Sequence, residues 1–148
     1  MSETGLQKLG EDLITTAARI VRWVPKNSDI SLSLAAARIL ARLNDSGPTR
    51  ISDLAAVERS SQPTITNHVK RLEALGLVER RTHPGDARAW IISLTTEGER
   101  ELATMRHELG VSLEPFLATM SSQDLAALTE GVAAMHRLMR QPRPARDG

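Results

Sequence analysis

The chain has 148 residues, of which 41% are hydrophobic and 25% are charged, which is the composition of one ordinary globular domain. It contains no cysteine, which excludes disulfides, thiolate metal sites and thiol redox switches. No apolar stretch approaches the roughly 20 residues of a membrane span. The N-terminus MSETGLQKLGED lacks the basic and apolar regions of a signal peptide. We therefore expect a cytoplasmic protein.

The net charge is only +1, but the charges are unevenly distributed. Residues 59–72 contain Arg59, Lys70 and Arg71 and no carboxylate, whereas residues 95–135 contain seven carboxylates and two arginines. This pattern indicates that only the middle of the chain meets a polyanion.

Apolar spacing predicts two helices before the basic segment. The first covers residues 6–24, with apolar side chains at every third or fourth position, and Pro25 ends it. Its apolar stripe comes before any partner element, so it packs on a later helix or on a second subunit. The second helix is predicted over residues 31–43, capped by Ser31 or Ser33 and followed by a turn cluster at residues 44–48. One face of it is expected to pack on the core and consists of Leu32, Ala36, Ile39, Leu40 and Leu43.

The basic segment then predicts a pair of short helices. A brief strand is expected over Thr49–Ile51, and a third helix begins at Ser52-Asp53 and runs through Glu58. After a break, Ser61 caps a fourth helix, with Pro63 inside its first turn. This helix runs to about Leu75, and Gly76 ends it in the left-handed conformation.

A hairpin and two helices complete the predicted order. The strands are expected at Val78–Arg81 and Ala89–Leu94, with Thr82–Arg88 as the hairpin tip around a Pro-Gly turn. A long helix begins at Thr95 or Thr96, carries apolar residues as far as Met120, and is bent or kinked at Pro115. Ser121 or Ser122 caps the last helix, which ends near Met139, and the tail 141–148 is expected to be disordered.

The fourth helix has a core face and a polar face. At about 100° per residue, Ile65, Val69 and Leu72 point in one direction, and polar and basic side chains point away from them. Such a face suits the major groove of DNA, although a solvated amphipathic helix has the same pattern. The hairpin that follows favours the nucleic-acid interpretation because it carries the polar and basic residues Arg80, Arg81, His83 and Arg88.

Asp86 and Arg88 allow two interpretations. They can form a weak surface ion pair, worth about 0–1 kcal/mol. Alternatively, Asp86 orients an arginine that reaches a narrow minor groove, where the negative potential is enhanced.

The run SSQPTITNHVKRLEALGLVERRTHPGDARAWIISLTTEG, residues 60–98, resembles the MarR-type winged-helix regulators. The residues that carry the resemblance are Ser61, Pro63, Thr66, Leu72, Glu73, Gly76, Leu77, Val78, Arg80, Asp86, Arg88, Leu94, Thr95 and Gly98. The chain departs from the family at Asn67, where members often carry Arg, and at Ala87, where a second Arg is common.

The resemblance implies a mainly α fold with a small β-hairpin wing, a winged helix-turn-helix with N- and C-terminal dimerisation helices. Residues 1–148 would form a single domain, with the DNA-binding lobe at about 31–98, the dimerisation region at about 4–26 and 96–140, and the tail at 141–148. It further implies a bacterial homodimer that binds a pseudo-palindromic operator and represses transcription. An effector, a small aromatic or anionic molecule, would release it.

The resemblance and the helix faces together assign three sets of residues. The DNA-binding set is Ser61, Gln62, Pro63, Thr64, Thr66, Asn67, Lys70, Arg71, Arg81, His83, Asp86 and Arg88. The dimer-interface set is Leu6, Leu9, Leu13, Leu125, Leu128, Val132 and Met135. The effector-cleft set is Arg22, Trp23 and His107, although Trp23 is better explained as a packing residue and His107 as a partly exposed helix residue.

Other classes of function have less support in the sequence. No two of the four histidines are four residues apart, and no cysteine completes a metal site, so we expect no metal. No glycine-rich phosphate loop and no nucleophile elbow is present, so we expect neither an enzyme nor a cofactor. The alternative that stays open is a winged-helix protein–protein interaction module, whose basic face would meet an acidic protein partner.

Overall fold

The computed structural model of the protein describes residues 2–24 and 32–141, with the main chain alone at position 87. The elements in this part are α1 Glu3–Trp23, α2 Leu34–Ser46, β1 Thr49–Arg50, α3 Ile51–Val57, α4 Gln62–Ala74, β2 Val78–His83, β3 Asp86–Leu94, α5 Thr96–Leu117 and α6 Ser122–Met139. The predicted fold class, mainly helical with a small β-hairpin wing, is confirmed. None of the described helices is both long and apolar enough to cross a membrane.

The chain forms two compact units, Met1–Val111 and Ser112–Gly148. The first unit holds the hydrophobic core, to which α2, α3, α4, the sheet and the first half of α5 contribute. Its fully buried large side chains are Ile39, Leu40, Leu43, Leu54, Val69, Leu72 and Ile92. The second unit contains the end of α5 and all of α6, and α6 has no buried residue.

The predicted core faces of α2 and α4 are confirmed. Ile65, Val69 and Leu72 of α4 are buried, as the spacing of apolar residues requires for a helix with one face on the core. On α2 the buried residues include four of the predicted face, and Leu32 packs against the core before the helix begins.

The three strands form one antiparallel sheet in the order β1-β3-β2. Thr82 pairs with Trp90 and His83 with Asp86, so the hairpin strands are longer than predicted. Only Pro84-Gly85 form the turn, and the predicted tip of seven residues is wrong. The tip side chains are mostly polar and lack an apolar alternation, whereas the pairing depends on main-chain groups that every residue except proline carries.

Two predicted helix bounds are also corrected. α2 begins at Leu34, where Ser33 Oγ accepts a hydrogen bond from the Ala36 amide at 3.2 Å. It continues through Ser46, so part of the predicted turn cluster is helical, and Gly47 ends it with a φ of 72°. The alternative cap Ser31, the predicted stop at Pro25 and tail residues 142–148 lie outside the described residues.

The third helix begins earlier than predicted. α3 starts at Ile51, and its N-cap is Arg50, which makes no side-chain capping hydrogen bond. Ser52-Asp53 therefore follow the first residue of the helix rather than beginning it. The buried side chain of Ile51 accounts for this, because packing on the core outweighs the missing cap.

α3 ends in a Schellman motif. The amide of Ser60 donates to the carbonyl of Ala55 at 3.0 Å, and the amide of Arg59 donates to the carbonyl of Ala56 at 3.3 Å. Arg59 has a φ of 50° and is the one non-glycine residue with a positive φ in the described part of the chain. The left-handed conformation costs a residue with a Cβ atom roughly 1–2 kcal/mol.

α4 ends in the same motif with a different residue at the left-handed position. The amide of Leu77 donates to the carbonyl of Leu72, and that of Gly76 to the carbonyl of Glu73, both at 2.9 Å. The left-handed residue is Gly76, with a φ of 74°, as predicted. Glycine adopts this φ without steric cost.

The start of α5 lies against the end of α4. Thr95 caps α5, since its Oγ1 accepts from the Gly98 amide at 3.0 Å and donates to the Gly76 carbonyl at 2.6 Å. A Cβ on Gly98 would lie 2.1 Å from the carbonyl oxygen of Leu77, so only glycine permits this approach. The helix ends at Leu117, with Pro115 in its last turn, and Met120 lies beyond it.

Candidate functional site

The N-terminus of α4 is held by two hydroxyl groups. Ser61 Oγ accepts from the Thr64 amide at 3.3 Å and lies 2.7 Å from Thr64 Oγ1. Ser61 is therefore the N-cap, as predicted, and Pro63 lies in the first turn, where its missing N–H removes no helical hydrogen bond. These contacts fix where the exposed side chains of the first turn project.

The outward face of α4 is polar and accessible. The exposed residues of the predicted set on this helix are Gln62, Pro63, Thr64, Asn67, Lys70 and Arg71. Thr66 is half-buried, and its Oγ1 donates to the Gln62 carbonyl at 2.8 Å. The Thr66 hydroxyl hydrogen is thus used inside the helix, which leaves its methyl group and an oxygen lone pair for an outside contact.

In the hairpin, Asp86 acts on the main chain. Its Oδ1 accepts a hydrogen bond from the backbone amide of Arg88 at 3.0 Å. Within the described residues the exposed guanidinium of Arg88 has no ion-pair partner, so the two side chains form no ion pair. Asp86 therefore stabilises the main chain at Arg88. It leaves the positive charge of the Arg88 guanidinium available to an outside partner.

His83 connects the hairpin to the first strand. Its Nε2 lies 2.8 Å from Arg50 Nη2, and its Nδ1 accepts from the Gly85 amide at 3.0 Å. Both ring nitrogens are in contact with the protein, and the residue is half-buried. His83 is thus less available to an outside partner than its place at the hairpin tip predicts.

The two neighbouring arginines of β2 differ in environment. Arg80 lies 4.5 Å over the Trp90 ring and 3.5 Å from the Glu73 carboxylate, so it joins the hairpin to α4. Arg81 is 73% exposed at its side chain and lies 2.9 Å from Glu79. Of this pair only Arg81 faces outward, although the sequence indicated both as basic residues of the strand.

Sequence reasoning missed an ion-pair group behind the helix-turn-helix. The side chain of Glu58, only 9% exposed, lies 2.7 Å from Arg38 Nη2 and 3.9 Å from Arg42 Nε. These contacts hold the turn after α3 against α2. The sequence contains no signal for them, because Glu58 follows α3 whereas both arginines belong to α2, and the three residues follow no motif.

The predicted dimer residues of α1 carry apolar side chains that the chain itself does not bury. Leu6 is 57% exposed and Leu9 is 55% exposed, while Leu13 is half-buried. α1 contains no buried residue at all.

The predicted residues of α6 are likewise apolar and exposed. Leu125 is 36%, Leu128 43%, Val132 47% and Met135 40% exposed. An apolar stripe of this kind on a helix normally faces a partner.

The predicted effector residues are only partly brought together. Arg22 and Trp23 line one open hollow, together with Thr16, Arg19 and Ile20 of the same helix. His107 lies on α5 and is not part of this lining. Within residues 2–24 and 32–141, no group of three or more His, Asp or Glu residues is placed to hold a metal ion.

Comparisons with known proteins agree with this architecture. A sequence model of the MarR family matches residues 32–90. The chain is 30% identical over 84 residues to the uncharacterized HTH-type transcriptional regulator YdgJ of Bacillus subtilis; the alignment covers 57% of this chain and 51%, about half, of YdgJ. It is 26% identical over 133 residues to the HTH-type transcriptional regulator MT0903.1 of Mycobacterium tuberculosis, covering 89% of this chain and 93% of that protein.

Solved structures show the same fold. The apo form of wild-type MarR from E. coli matches with a TM-score of 0.70 at 19% identity, covering 86% of this chain and 95% of that one. At this identity the likeness concerns the fold alone.

Proposed function

We propose that the chain is a member of the MarR family of transcriptional regulators, whose sequence model matches residues 32–90, and that it is a sequence-specific double-stranded DNA-binding protein that regulates transcription as a homodimer. The observation that carries the proposal is α4, with Ile65, Val69 and Leu72 buried on one face and polar and basic side chains exposed on the other. The adjacent hairpin adds a cation without an ion-pair partner in the described part of the chain, at Arg88.

In this proposal α4 enters the major groove. Asn67 is exposed and can form two hydrogen bonds with the edge of adenine, while the methyl group of Thr66 can contact a thymine methyl. Lys70 and Arg71, further along the helix, meet phosphates or guanine. Ser61, Gln62, Pro63 and Thr64 bring the first turn close to the DNA.

The hairpin acts as a wing that lies over the minor groove. Arg88 enters the groove, supported by the hydrogen bond that its amide donates to Asp86. Arg81 and His83 lie nearby on the wing and contact the sugar-phosphate backbone. Arg80 instead positions the wing, through Trp90 and Glu73.

A dimer is proposed because the apolar stripes of the two terminal helices are not covered by the described residues of a single chain. Leu6, Leu9 and Leu13 of α1 would pack against the partner, as would Leu125, Leu128, Val132 and Met135 of α6. Two-fold symmetry places two α4 helices in successive major grooves, about 34–36 Å apart, on an inverted repeat. Residues of about 4–26 and 96–140 then serve dimerisation, and about 31–98 serve DNA binding.

Binding to a promoter would repress transcription, and this role places the protein in the cytoplasm. We assign a small aromatic or anionic effector to the hollow beside Arg22 and Trp23, where a ring and a guanidinium lie together. His107 completes the assigned set from α5. The effector would act by favouring a spacing of the two DNA-binding lobes that does not fit the operator.

The test is a fluorescence-anisotropy titration of the full chain with the duplex upstream of its own gene, beside a scrambled duplex, at two salt concentrations. Specific binding of one dimer per duplex, weakened by salt, supports the proposal because phosphate contacts release counterions. If that duplex binds no better than the scrambled one, a random-sequence selection follows. Recovery of no enriched site would overturn sequence-specific binding and favour the protein–protein interaction module.

A further inference from the structure

The two Schellman motifs of the helix-turn-helix differ at one position. After α4 the left-handed residue is Gly76, and after α3 it is Arg59, with φ values of 74° and 50°. The hydrogen bonds that close the two motifs are equivalent. Both motifs therefore require a residue in the left-handed conformation. In the motif after α4 this residue is a glycine, and in the motif after α3 it is an arginine.

Apart from the main-chain hydrogen bonds of the motif, no contact within the described part of the chain compensates Arg59 for this conformation. The residue is exposed, and its guanidinium forms no hydrogen bond and no ion pair with the described residues. The neighbouring carboxylate, Glu58, is engaged by Arg38 and Arg42 instead. Residues held in unfavourable backbone conformations are often functional. A contact between the Arg59 side chain and a bound ligand can supply the free energy that offsets the strain.

Arg59 lies where a phosphate contact of the proposed DNA complex is expected. It precedes Ser61, the N-cap of α4, by two residues, and belongs to the segment 59–72 that contains no carboxylate. In helix-turn-helix proteins the residues around the second helix bind the sugar-phosphate backbone and set its register. An arginine at the turn can reach that backbone without entering a groove.

We infer that Arg59 is a phosphate-contacting residue of this chain, in addition to those of α4 and the wing, and that its attraction to DNA offsets the strain of its left-handed backbone. The inference rests on the proposed DNA-binding function. It requires that replacing Arg59 by glycine stabilises the free protein and weakens its binding to DNA, two effects of opposite sign.

The test compares Arg59→Gly with the wild-type protein on the duplex upstream of its gene and on the scrambled duplex. We expect the thermal midpoint of the free variant to rise by roughly 2–6 °C. The plot of log affinity against log salt should become shallower by about 0.9 for each phosphate that the variant no longer neutralises. For a dimer in which two phosphates are affected, the affinity ratio of wild type to variant should be about tenfold larger at roughly 50 mM than at 200 mM salt.

Two further variants separate charge from backbone conformation. Arg59→Lys keeps the charge, so its salt slope should stay close to that of the wild type. Gly76→Ala places a Cβ in open space at the equivalent position, with nothing within 4 Å. It should lower the thermal midpoint and leave the salt slope unchanged.

The outcomes distinguish this inference from the proposed function. If the wild type binds in a salt-dependent manner and Arg59→Gly has the same slope, the phosphate contact is wrong and the proposed function stands. A slope change on one duplex only would also contradict a phosphate contact, which is independent of sequence. If the wild type binds neither duplex nor any selected sequence, both the proposed function and this inference fail.

Discussion

The middle of the chain and its terminal helices use the same apolar spacing with opposite results. In α2 and α4 the apolar stripes are buried, with Leu40 and Leu72 at 0% and 1% exposure. In α1 and α6 the stripes are just as regular, yet neither helix has a buried residue. A periodic apolar stripe therefore predicts a helix with one face packed against another surface. Whether that surface belongs to the same chain is decided by the fold.

The largest expected effect concerns the terminal helices. The double variant Leu9→Asp, Leu13→Asp puts two charges into the apolar stripe of α1, and burying unpaired carboxylates in an interface is strongly unfavourable. We expect light scattering to give the mass of one 16.2 kDa chain instead of two. Thr15→Asp is the matched control, because Thr15 lies on the face of α1 opposite the stripe, and this variant should stay dimeric. A dimeric double variant would move the interface elsewhere.

The next prediction compares the loss of unfolding free energy caused by a core substitution with the loss caused by a substitution in the exposed stripe of α1. Leu40→Ala removes a completely buried side chain and should cost about 2–5 kcal/mol of unfolding free energy at every protein concentration. Leu9→Ala, at a residue 55% exposed in one chain, should destabilise only through the dimer. Its effect in urea unfolding should therefore depend on protein concentration. Equal and concentration-independent losses would show that α1 packs within its own chain.

A pair of glycines on α5 tests the close approach at the end of α4. Gly98→Ala would bring a Cβ to 2.1 Å from the Leu77 carbonyl oxygen, and we expect a loss of at least about 1–3 kcal/mol. Gly110→Ala on the same helix meets nothing within 4 Å and should stabilise by up to about 1 kcal/mol. Thermal unfolding of the two variants measures both effects. A Gly98→Ala protein as stable as the wild type would contradict the packing of α5 on the turn after α4.

The smallest effects on stability are expected on the exposed face of the middle region, where function should change instead. Asn67→Ala should relax the preference at one base position by about 1–3 kcal/mol, and Arg88→Ala should weaken binding to all sequences. Both proteins should unfold like the wild type.

Lys8→Ala serves as the control for these DNA-binding variants. It removes an exposed cation from α1, where Lys8 lies 2.8 Å from Asp12 and far in sequence from the proposed DNA-binding residues. Anisotropy titrations should show unchanged affinity for this variant. If Asn67→Ala and Arg88→Ala also bind DNA like the wild type, the groove assignments are wrong.

Much of the fold could be predicted because local patterns determined it. The caps Ser61 and Ser33, the stop at Gly76 and the core face of α4 all follow from residues within a few positions of each other. The lengths of β2 and β3 could not be predicted, since main-chain pairing at the polar tip leaves no periodic signal in the side chains. The start of α3 was missed because burial of Ile51 outweighed the absence of a capping side chain.

The candidate site divides in the same way. Which residues of α4 face outward was readable from the helical period, and the structure agrees for Asn67, Lys70 and Arg71. Which cations are available was not readable. Arg80 is held by Trp90 and Glu73, and His83 lies against Arg50, whereas Arg88 has no ion-pair partner among the described residues.

The sequence by itself determined the order of the elements, the buried faces of α2 and α4 and the polar face of α4. These features depend on interactions within one helix or turn, and the spacing of residue types in the sequence shows them directly. Only the tertiary structure decided the pairing of Glu58 with Arg38, the left-handed backbone of Arg59 and the division between engaged and available arginines. These depend on groups from separate elements meeting in space, and no local spacing records such meetings.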